Sequence, residues 1–430
     1  MAQIEQLRAA IQQGQYDGAF AKLYGEGCQQ KQRQRYMDAL DHFEQYFGTV
    51  RQVSLYSAPG RTEIGGNHTD HNNGVVMAAA VNLDIIAVVS RTDDKIVRVK
   101  SHGFKEMDTV DLNVLEPQKQ EEGRSASLIR GVAAGIVRDG GTVGGFDAYT
   151  TSDVLRGSGL SSSAAFEVVI GEVLNGEFNS ERFSMVEIAK VSQYAENVFF
   201  GKPSGLMDQT ACAVGSAITI DFADPTAPVV DKVAFDLAGQ DFALCITDTK
   251  GSHADLTPDY AAIRSEMESV AAFFGKKVLR EVDETEFYEK IPELRQKTGD
   301  RAVLRAIHFF ADCHRAGQLC QAVREGRFQD FLDLILQGGH SSFEFNQNAY
   351  SIQTPQQQGV PLGLALSQRV LQGRGAWRLQ GGGFAGTIQA FVPQDLLERY
   401  KAAMEAVFGQ GACYVLSVRN YGAVAVTPEL

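Results

Sequence analysis

Arg156-Gly-Ser-Gly-Leu-Ser-Ser-Ser-Ala164 runs directly into Ala165-Phe-Glu-Val-Val-Ile170, and a strand-like run at 145–151 precedes it. The apolar pattern after the loop predicts a helix to about residue 174. A glycine- and serine-rich loop that opens a helix suits an anion. Glycines let backbone N–H groups approach it, and the helix start adds unpaired N–H groups and a positive dipole end. Three serines offer hydroxyls to phosphate oxygens or to a hydrated magnesium ion. Neither familiar nucleotide loop is present: GxxxxGK(S/T) does not occur, GxGxxG fails at Ser162, and Gly201-Lys202 is followed by Pro203. Taken alone, the stretch also reads as an ordinary Ser-capped helix after a loop.

Outward from this loop, strands are expected at 53–58, 85–90, 95–100, 217–222, 242–247, 386–392, 414–418 and 423–426. Helices are expected at 127–138, 185–198, 260–274, 303–325 and 394–408. Turn-forming residues fill 59–74. Strands and helices without strict βαβ alternation give an α+β class. A chain of 430 residues exceeds what one core usually fills, so two domains are expected, 51–228 and 229–430, with the crossing near 223–228. Residues 1–50 show helical spacing at Ile4, Leu7 and Ile11 and again at Ala39, Leu40 and Phe43. They read as a pair of surface helices without chemistry.

Against 40 basic residues stand 53 acidic ones, a net charge of −13, which argues against nucleic acid but not against one nucleotide in a local pocket. The six cysteines are scattered and form no CxxC pair, as expected of reduced thiols. The start MAQIEQLRAA lacks a signal-peptide pattern, and the longest apolar run, 75–89, is too short to span a bilayer. A cytoplasmic protein with no membrane partner is expected, with a monomer as the default state.

Three further blocks carry chemistry. Ala58-Pro-Gly-Arg-Thr-Glu-Ile-Gly-Gly-Asn-His-Thr-Asp-His-Asn-Asn-Gly74 packs polar groups among glycines beside a strand. That density suits a site that hydrogen-bonds a polyhydroxylated ligand. Metal binding by His68, Asp70 and His71 is a competing reading without a standard spacing, and a polar turn is the plain one. Tyr194-Ala-Glu-Asn-Val-Phe-Phe-Gly-Lys-Pro-Ser-Gly-Leu-Met-Asp-Gln209 supplies Glu196 and Asp208. One carboxylate for magnesium and another beside an attacking hydroxyl is what phosphoryl transfer requires. Burial beside Met207 raises the pKa of Asp208 unless a cation offsets it, and Arg61 is the candidate cation. A solvated Glu196 and a helix-capping Asp208 are the alternative. Finally, Gln380-Gly-Gly-Gly-Phe-Ala-Gly-Thr387 implies close backbone approach.

The order and wording of these blocks resemble the galactokinases of the GHMP kinase superfamily, from about Val53 to the C-terminus. The family pattern APGR…GxHTDxNxG, GLSSSA, GxMDQ and GGGFGG reads here as 58–74, 159–164, 205–209 and 381–386. The resemblance implies a two-domain fold, with an N-terminal domain like ribosomal S5 domain 2 and a ferredoxin-like α/β sandwich behind it. It implies a sugar 1-kinase that uses ATP and Mg2+, with galactose as acceptor. Asp208 matches the catalytic aspartate and Arg61 the arginine that keeps it ionised. Ser163 and Glu196 match the magnesium ligands, and Gly157, Ser158, Gly159, Leu160, Ser161, Ser162 and Ser163 the phosphate-cradling loop. Asn67, His68, Asp70, Gly205 and Tyr260 match sugar contacts.

Some positions depart from the pattern. Asn67 stands where galactokinases usually have Glu, and Glu63-Ile64-Gly65 replaces Asn-Leu-Ile. A neutral amide facing the C6 end could admit a carboxylate, which makes galacturonate a rival acceptor. Leu155 replaces a usual proline, GGGFAGT replaces GGGFGGC, and residues 1–50 exceed the usual lead-in. A sugar sensor that binds without turnover is the non-enzyme alternative, though the triple serine, Glu196, Asp208 and Arg61 all favour an enzyme.

Overall fold

The computed structural model describes residues 2–49, 51–154, 159–202, 204–251 and 256–430. Gly157 and Ser158 of the expected phosphate loop lie outside the described residues.

The first sheet contains β1 (Ala2–Gln3), β2 (Gln52–Gly65), β3 (Val75–Arg91), β4 (Ile96–Ser101), β5 (Asp108–Asp111), β6 (Phe146–Ser152), β7 (Ala217–Asp221) and β8 (Val229–Val233). Its path is β1-β2-β3-β6-β4-β5, with β7 on β3 and β8 on β7. β4 and β6 run parallel, and the other pairs are antiparallel. The second sheet, ordered β10-β11-β9-β12, contains β9 (Phe242–Asp248), β10 (Ala376–Leu379), β11 (Thr387–Pro393) and β12 (Cys413–Leu416). A last strand, β13 (Val424–Ala425), returns to pair with β2 of the first sheet. Two sheets with helices between and around them make the α+β architecture expected from the sequence. The expected boundary at 228/229 falls one strand early, because β8 is hydrogen-bonded to β7, and the C-terminal end belongs with the first sheet as well.

β3 is apolar apart from Asn82 and Asp84 up to Val89, because helices cover both of its faces. Ile85, Ala87 and Val89 face a core shared with α4 (Ser125–Arg138), α5 (Ser162–Asn179), α6 (Met185–Tyr194) and α7 (Met207–Val214). Ile86 and Val88, pointing the other way, face a separate core. That second core corrects the reading of residues 1–50. They form three helices, α1 (Ile4–Gln12), α2 (Asp17–Tyr24) and α3 (Gln29–Phe47), not a surface pair. Phe20, Tyr36, Leu40 and Phe43 are buried against Leu55, Ile86 and Tyr149 of the sheet.

The stretch 59–74 is also less turn-like than expected. β2 continues through Gly65, and bulges between Pro59 and Arg61 and between Glu63 and Gly65 absorb residues that would otherwise end a strand. α8 (Thr257–Phe273) and α10 (Asp300–Arg324) stand where helices were expected. α9 (Glu284–Thr298), α11 (Phe328–Ser341) and α12 (Gly359–Leu371) were not anticipated, and α13 (Leu397–Phe408) closes the helical set. Among the described residues, no helix is long and apolar enough to cross a membrane.

Candidate active site

The bulge in β2 aims Arg61 out of the sheet. Arg61 N–H donates to the carbonyl of Leu160 at 3.0 Å, tying strand to loop. A Cβ on Gly60 would lie 2.8 Å from that same carbonyl oxygen, so the strand can lie here only with glycine at this position. The Arg61 guanidinium is buried and grips Asp208 with two parallel bonds, Nε to Oδ1 at 2.6 Å and Nη2 to Oδ2 at 2.5 Å. Nη1 donates to the carbonyl of Gly159 at 2.5 Å. Asp208 sits in the first turn of α7, and its side chain remains 28% exposed, which leaves a face open to a ligand. Burial alone would push its pKa up, but the Arg61 charge and the hydrogen bonds from Arg61 and Ser161 outweigh this and hold it below the ordinary aspartate value.

Ser161 joins the two halves of this arrangement. It adopts the left-handed conformation, φ +60°, immediately before α5. Its Oγ donates to Asp208 Oδ2 at 2.6 Å and does not cap the helix. The first-turn N–H groups of α5 are therefore left for an anion, as the loop sequence suggested. Beside them opens a cavity of about 560 Å³, with Ser162 and Ser163 at one end and Ile85, Leu128, Phe166 and Phe200 along its wall. A polar end for phosphates and an apolar wall for a flat ring suit a nucleotide.

Ser163 Oγ and Glu196 Oε1 lie 3.5 Å apart. Glu196 occupies a π-helical turn, Ala195–Phe200, that continues α6 and swings its carboxylate toward the loop. Its Oε1 receives Lys202 Nζ at 2.7 Å, while Oε2 accepts from Ser204 Oγ at 2.6 Å and Gln209 Nε2 at 2.9 Å. A hydroxyl and a carboxylate, hard oxygen donors beside phosphate space, fit magnesium, which keeps several waters and takes phosphate oxygens as further ligands. Lys202 already shows that a cation is welcome there: burial would lower its pKa, and Glu196 raises it above the usual lysine value. Sequence reading set Lys202 aside because it is not a Walker lysine. Its partner lies six residues upstream, at the other end of the π-helical turn, a geometry the sequence did not reveal.

Opposite the phosphate loop, the polar block at 66–74 meets the loop at 204–206. A Cβ on Gly205 would lie 2.3 Å from Asp70 Oδ2, so Gly205 is the surface on which that carboxylate rests. Burial raises the pKa of Asp70, and burial lowers that of His68 against a hydrogen bond that favours its charged form. The glycines at 381–383 do what close backbone approach implied: their carbonyls anchor neighbouring side chains. Gly381 O accepts from Asn67 Nδ2 at 2.7 Å, Gly382 O from the His68 ring at 2.9 Å, and Gly383 O from Tyr260 OH at 3.0 Å. Among the described residues, no group of three or more His, Cys, Asp or Glu side chains could hold a metal ion, so the metal reading of His68, Asp70 and His71 lapses.

Asn67 requires a correction. Its side chain is fully buried and every arm is taken by protein. Nδ2 donates to Glu63 Oε1 at 2.9 Å as well as to Gly381, and Oδ1 accepts from Asn348 Nδ2 at 2.8 Å. It offers a ligand no surface. Glu63, four residues upstream, is buried beside it and pairs with Arg378 Nη2 at 2.7 Å. With its amide committed to protein, Asn67 faces no substrate carboxylate, and the argument for admitting one through it falls.

Two family profiles match the chain: the galactokinase galactose-binding signature over residues 41–91, and the GHMP kinases N terminal domain over 127–216. A galactokinase of Glaesserella parasuis is 33% identical over 361 residues, covering 83% of this chain and 89% of that protein. One from Streptomyces coelicolor is 29% identical over 373 residues, covering 86% and 92%. The crystal structure of Lactococcus lactis galactokinase complexed with galactose superposes with a TM-score of 0.77 at 23% identity, over 90% of this chain and 99% of that one. The fold is that of the GHMP kinases, and the chain belongs to the galactokinase family.

Proposed function

We propose that this enzyme transfers the γ-phosphoryl group of ATP to O1 of galactose, giving galactose 1-phosphate and ADP. The observation that carries the reading is the Arg61–Asp208–Ser161 chain: an ionised, partly exposed carboxylate held beside the open N-terminus of α5. Asp208 Oδ1 accepts one hydrogen bond, from Arg61, and keeps a lone pair for the O1 hydroxyl of the sugar. As O1 attacks the γ phosphorus in line, its proton passes to Asp208 and the β–γ bridging oxygen leaves with ADP. The transition state is loose, so positioning and charge neutralisation outweigh base strength. When bound, magnesium held by Ser163 and Glu196 supplies charge neutralisation at the phosphate oxygens. His68, Asp70, Gly205 and Tyr260 form the wall against which the sugar is oriented.

An ADP-release assay across galactose, glucose, galacturonate and N-acetylgalactosamine tests this. Galactose is expected to exceed galacturonate in kcat/KM by about 100-fold or more, because the Asn67 amide is taken up by protein and offers a substrate carboxylate no donor. No sugar-dependent ADP release, or a preference for galacturonate, would overturn the reading.

The lowered pKa of Asp208 gives a second expectation. Ionised Asp208 is the active form, so activity falls only as pH drops through its folded-state pKa, below the ordinary value of about 3.9. Between pH 5 and 8 the kcat profile therefore shows no limb from this group. In Arg61→Met the opposing charge is gone and burial dominates, so an acid limb moves up into the measurable range. A wild-type limb near pH 6 that Arg61→Met leaves in place would refute the assignment.

A further inference from the structure

Beneath the bulge that delivers Arg61 lies a second buried carboxylate. Asp84 of β3 pairs directly with Pro59, the last residue of β2 before the register shift to Arg61. It is fully buried, and four side chains from three distant parts of the chain converge on it. Tyr24 OH donates to Oδ2 at 2.7 Å and Arg35 Nη1 to Oδ1 at 2.6 Å, both from the N-terminal helices. Ser57 Oγ donates to Oδ2, and so does Arg419 Nη1 at 3.1 Å, from the C-terminal segment. Arg35 also reaches the Asp84 carbonyl at 3.1 Å and lies 3.5 Å from Asp153. Asp153 in turn precedes Val154, whose side chain would lie 3.1 Å from a Cβ on Gly60. The two contacts thus bracket Arg61 from the strand below and from the segment beside it.

We propose that Tyr24 and Arg35 are positioning residues for catalysis. Through Asp84 and Asp153, the N-terminal helices fix the β2 bulge, and the bulge fixes Arg61 on Asp208. This rests on the kinase reading above and gives residues 1–49 a part in turnover beyond packing. A buried carboxylate satisfied from several directions holds one geometry rigidly, and a misplacement of about 1 Å at a reacting group can cost up to 10²-fold in rate. Residues that act on the transition state alone change kcat and leave KM in place.

The test uses the full chain with galactose and ATP, rates being normalised to the folded fraction. Arg35→Met and Tyr24→Phe are compared with Leu40→Ala, which loosens the same helices without touching Asp84. Arg35→Met is expected to lower kcat about tenfold with both KM values within twofold of wild type, and Arg35→Lys to recover part of it. Tyr24→Phe keeps the ring packing and is expected to lower kcat about threefold, which carries the test if Arg35→Met does not fold. Leu40→Ala is expected to lower Tm and keep wild-type kcat. The proposal is overturned if Arg35→Met and Tyr24→Phe keep wild-type kcat, or if Leu40→Ala loses as much kcat as they do. A wild-type chain without sugar-dependent turnover would instead sink the kinase reading itself.

Discussion

Asp208→Ala lowers kcat for galactose phosphorylation by about 10³-fold or more, with ATP affinity changed less than about threefold. Two losses combine in this expectation. The acceptor for the O1 proton disappears, and Arg61 is left buried without its bidentate partner beside the γ-phosphate position. An uncompensated buried guanidinium no longer holds a carboxylate in line with the transferred group. The proposed ATP site, at the start of α5 and along the cavity wall of Leu128, Phe166 and Phe200, is not touched by the substitution. Steady-state rates, with ATP binding followed by calorimetry, separate the two effects. Asp208→Asn keeps the shape but not the charge and is expected to lose nearly as much. Residual activity within tenfold of wild type in either variant would remove Asp208 from its role.

Asn67→Glu destabilises the fold by about 3 kcal/mol or more, a consequence of the buried Glu63–Asn67 contact. Restoring the family's Glu at position 67 places a second carboxylate beside Glu63, 2.9 Å from the present amide, where no water reaches. It also deletes the amide donors to Glu63 and to the Gly381 carbonyl, and leaves Glu63 Oε1 to Arg378 alone. Burial already raises the pKa of Glu63 despite the Arg378 charge, so a neighbouring carboxylate forces protonation of one of the two. Glu63→Asn with Asn67→Glu restores one amide and one carboxylate across the same gap and is expected to recover at least half of the loss. Urea unfolding of the wild type, both single variants and the double variant closes the cycle. Additive effects, with no recovery in the double variant, would show that the two positions are independent.

The chemistry was more legible in the sequence than the architecture. Arg61, Ser161, Ser163, Glu196 and Asp208 lie in glycine-rich polar motifs whose order matches a family pattern, and the structure brings them within one site. Helix α9 carried a weak signal, whereas α11 is amphipathic, with Phe331, Leu332 and Ile335 on its buried stripe. Pro292 lies inside the first, and Gly338-Gly339 lies in the last turn of the second, where Gly339 lets the helix approach the backbone of Trp377. The N-terminal helices misled for a different reason. α3 opens Gln-Gln-Lys-Gln-Arg-Gln-Arg, which reads as a solvated face, yet Gln32, Tyr36, Ala39, Leu40 and Phe43 form a buried stripe. Arg35 of the same helix is held by Asp84, 49 residues on, and Tyr36 meets Tyr24 OH, which donates to the same carboxylate; a sequence pattern does not register such partners. Asn67 failed similarly, because Arg378 and Asn348, which settle its surroundings, enter from the far end of the chain.

The most direct test of the central claim is a crystal structure of the complex with galactose, magnesium and a non-hydrolysable ATP analogue. The expected result is galactose O1 within about 3 Å of Asp208 Oδ1, on the line to the γ phosphorus, with Arg61 still gripping both carboxylate oxygens. A sugar bound with O1 directed away from Asp208, or phosphates seated elsewhere than at the start of α5, would contradict it.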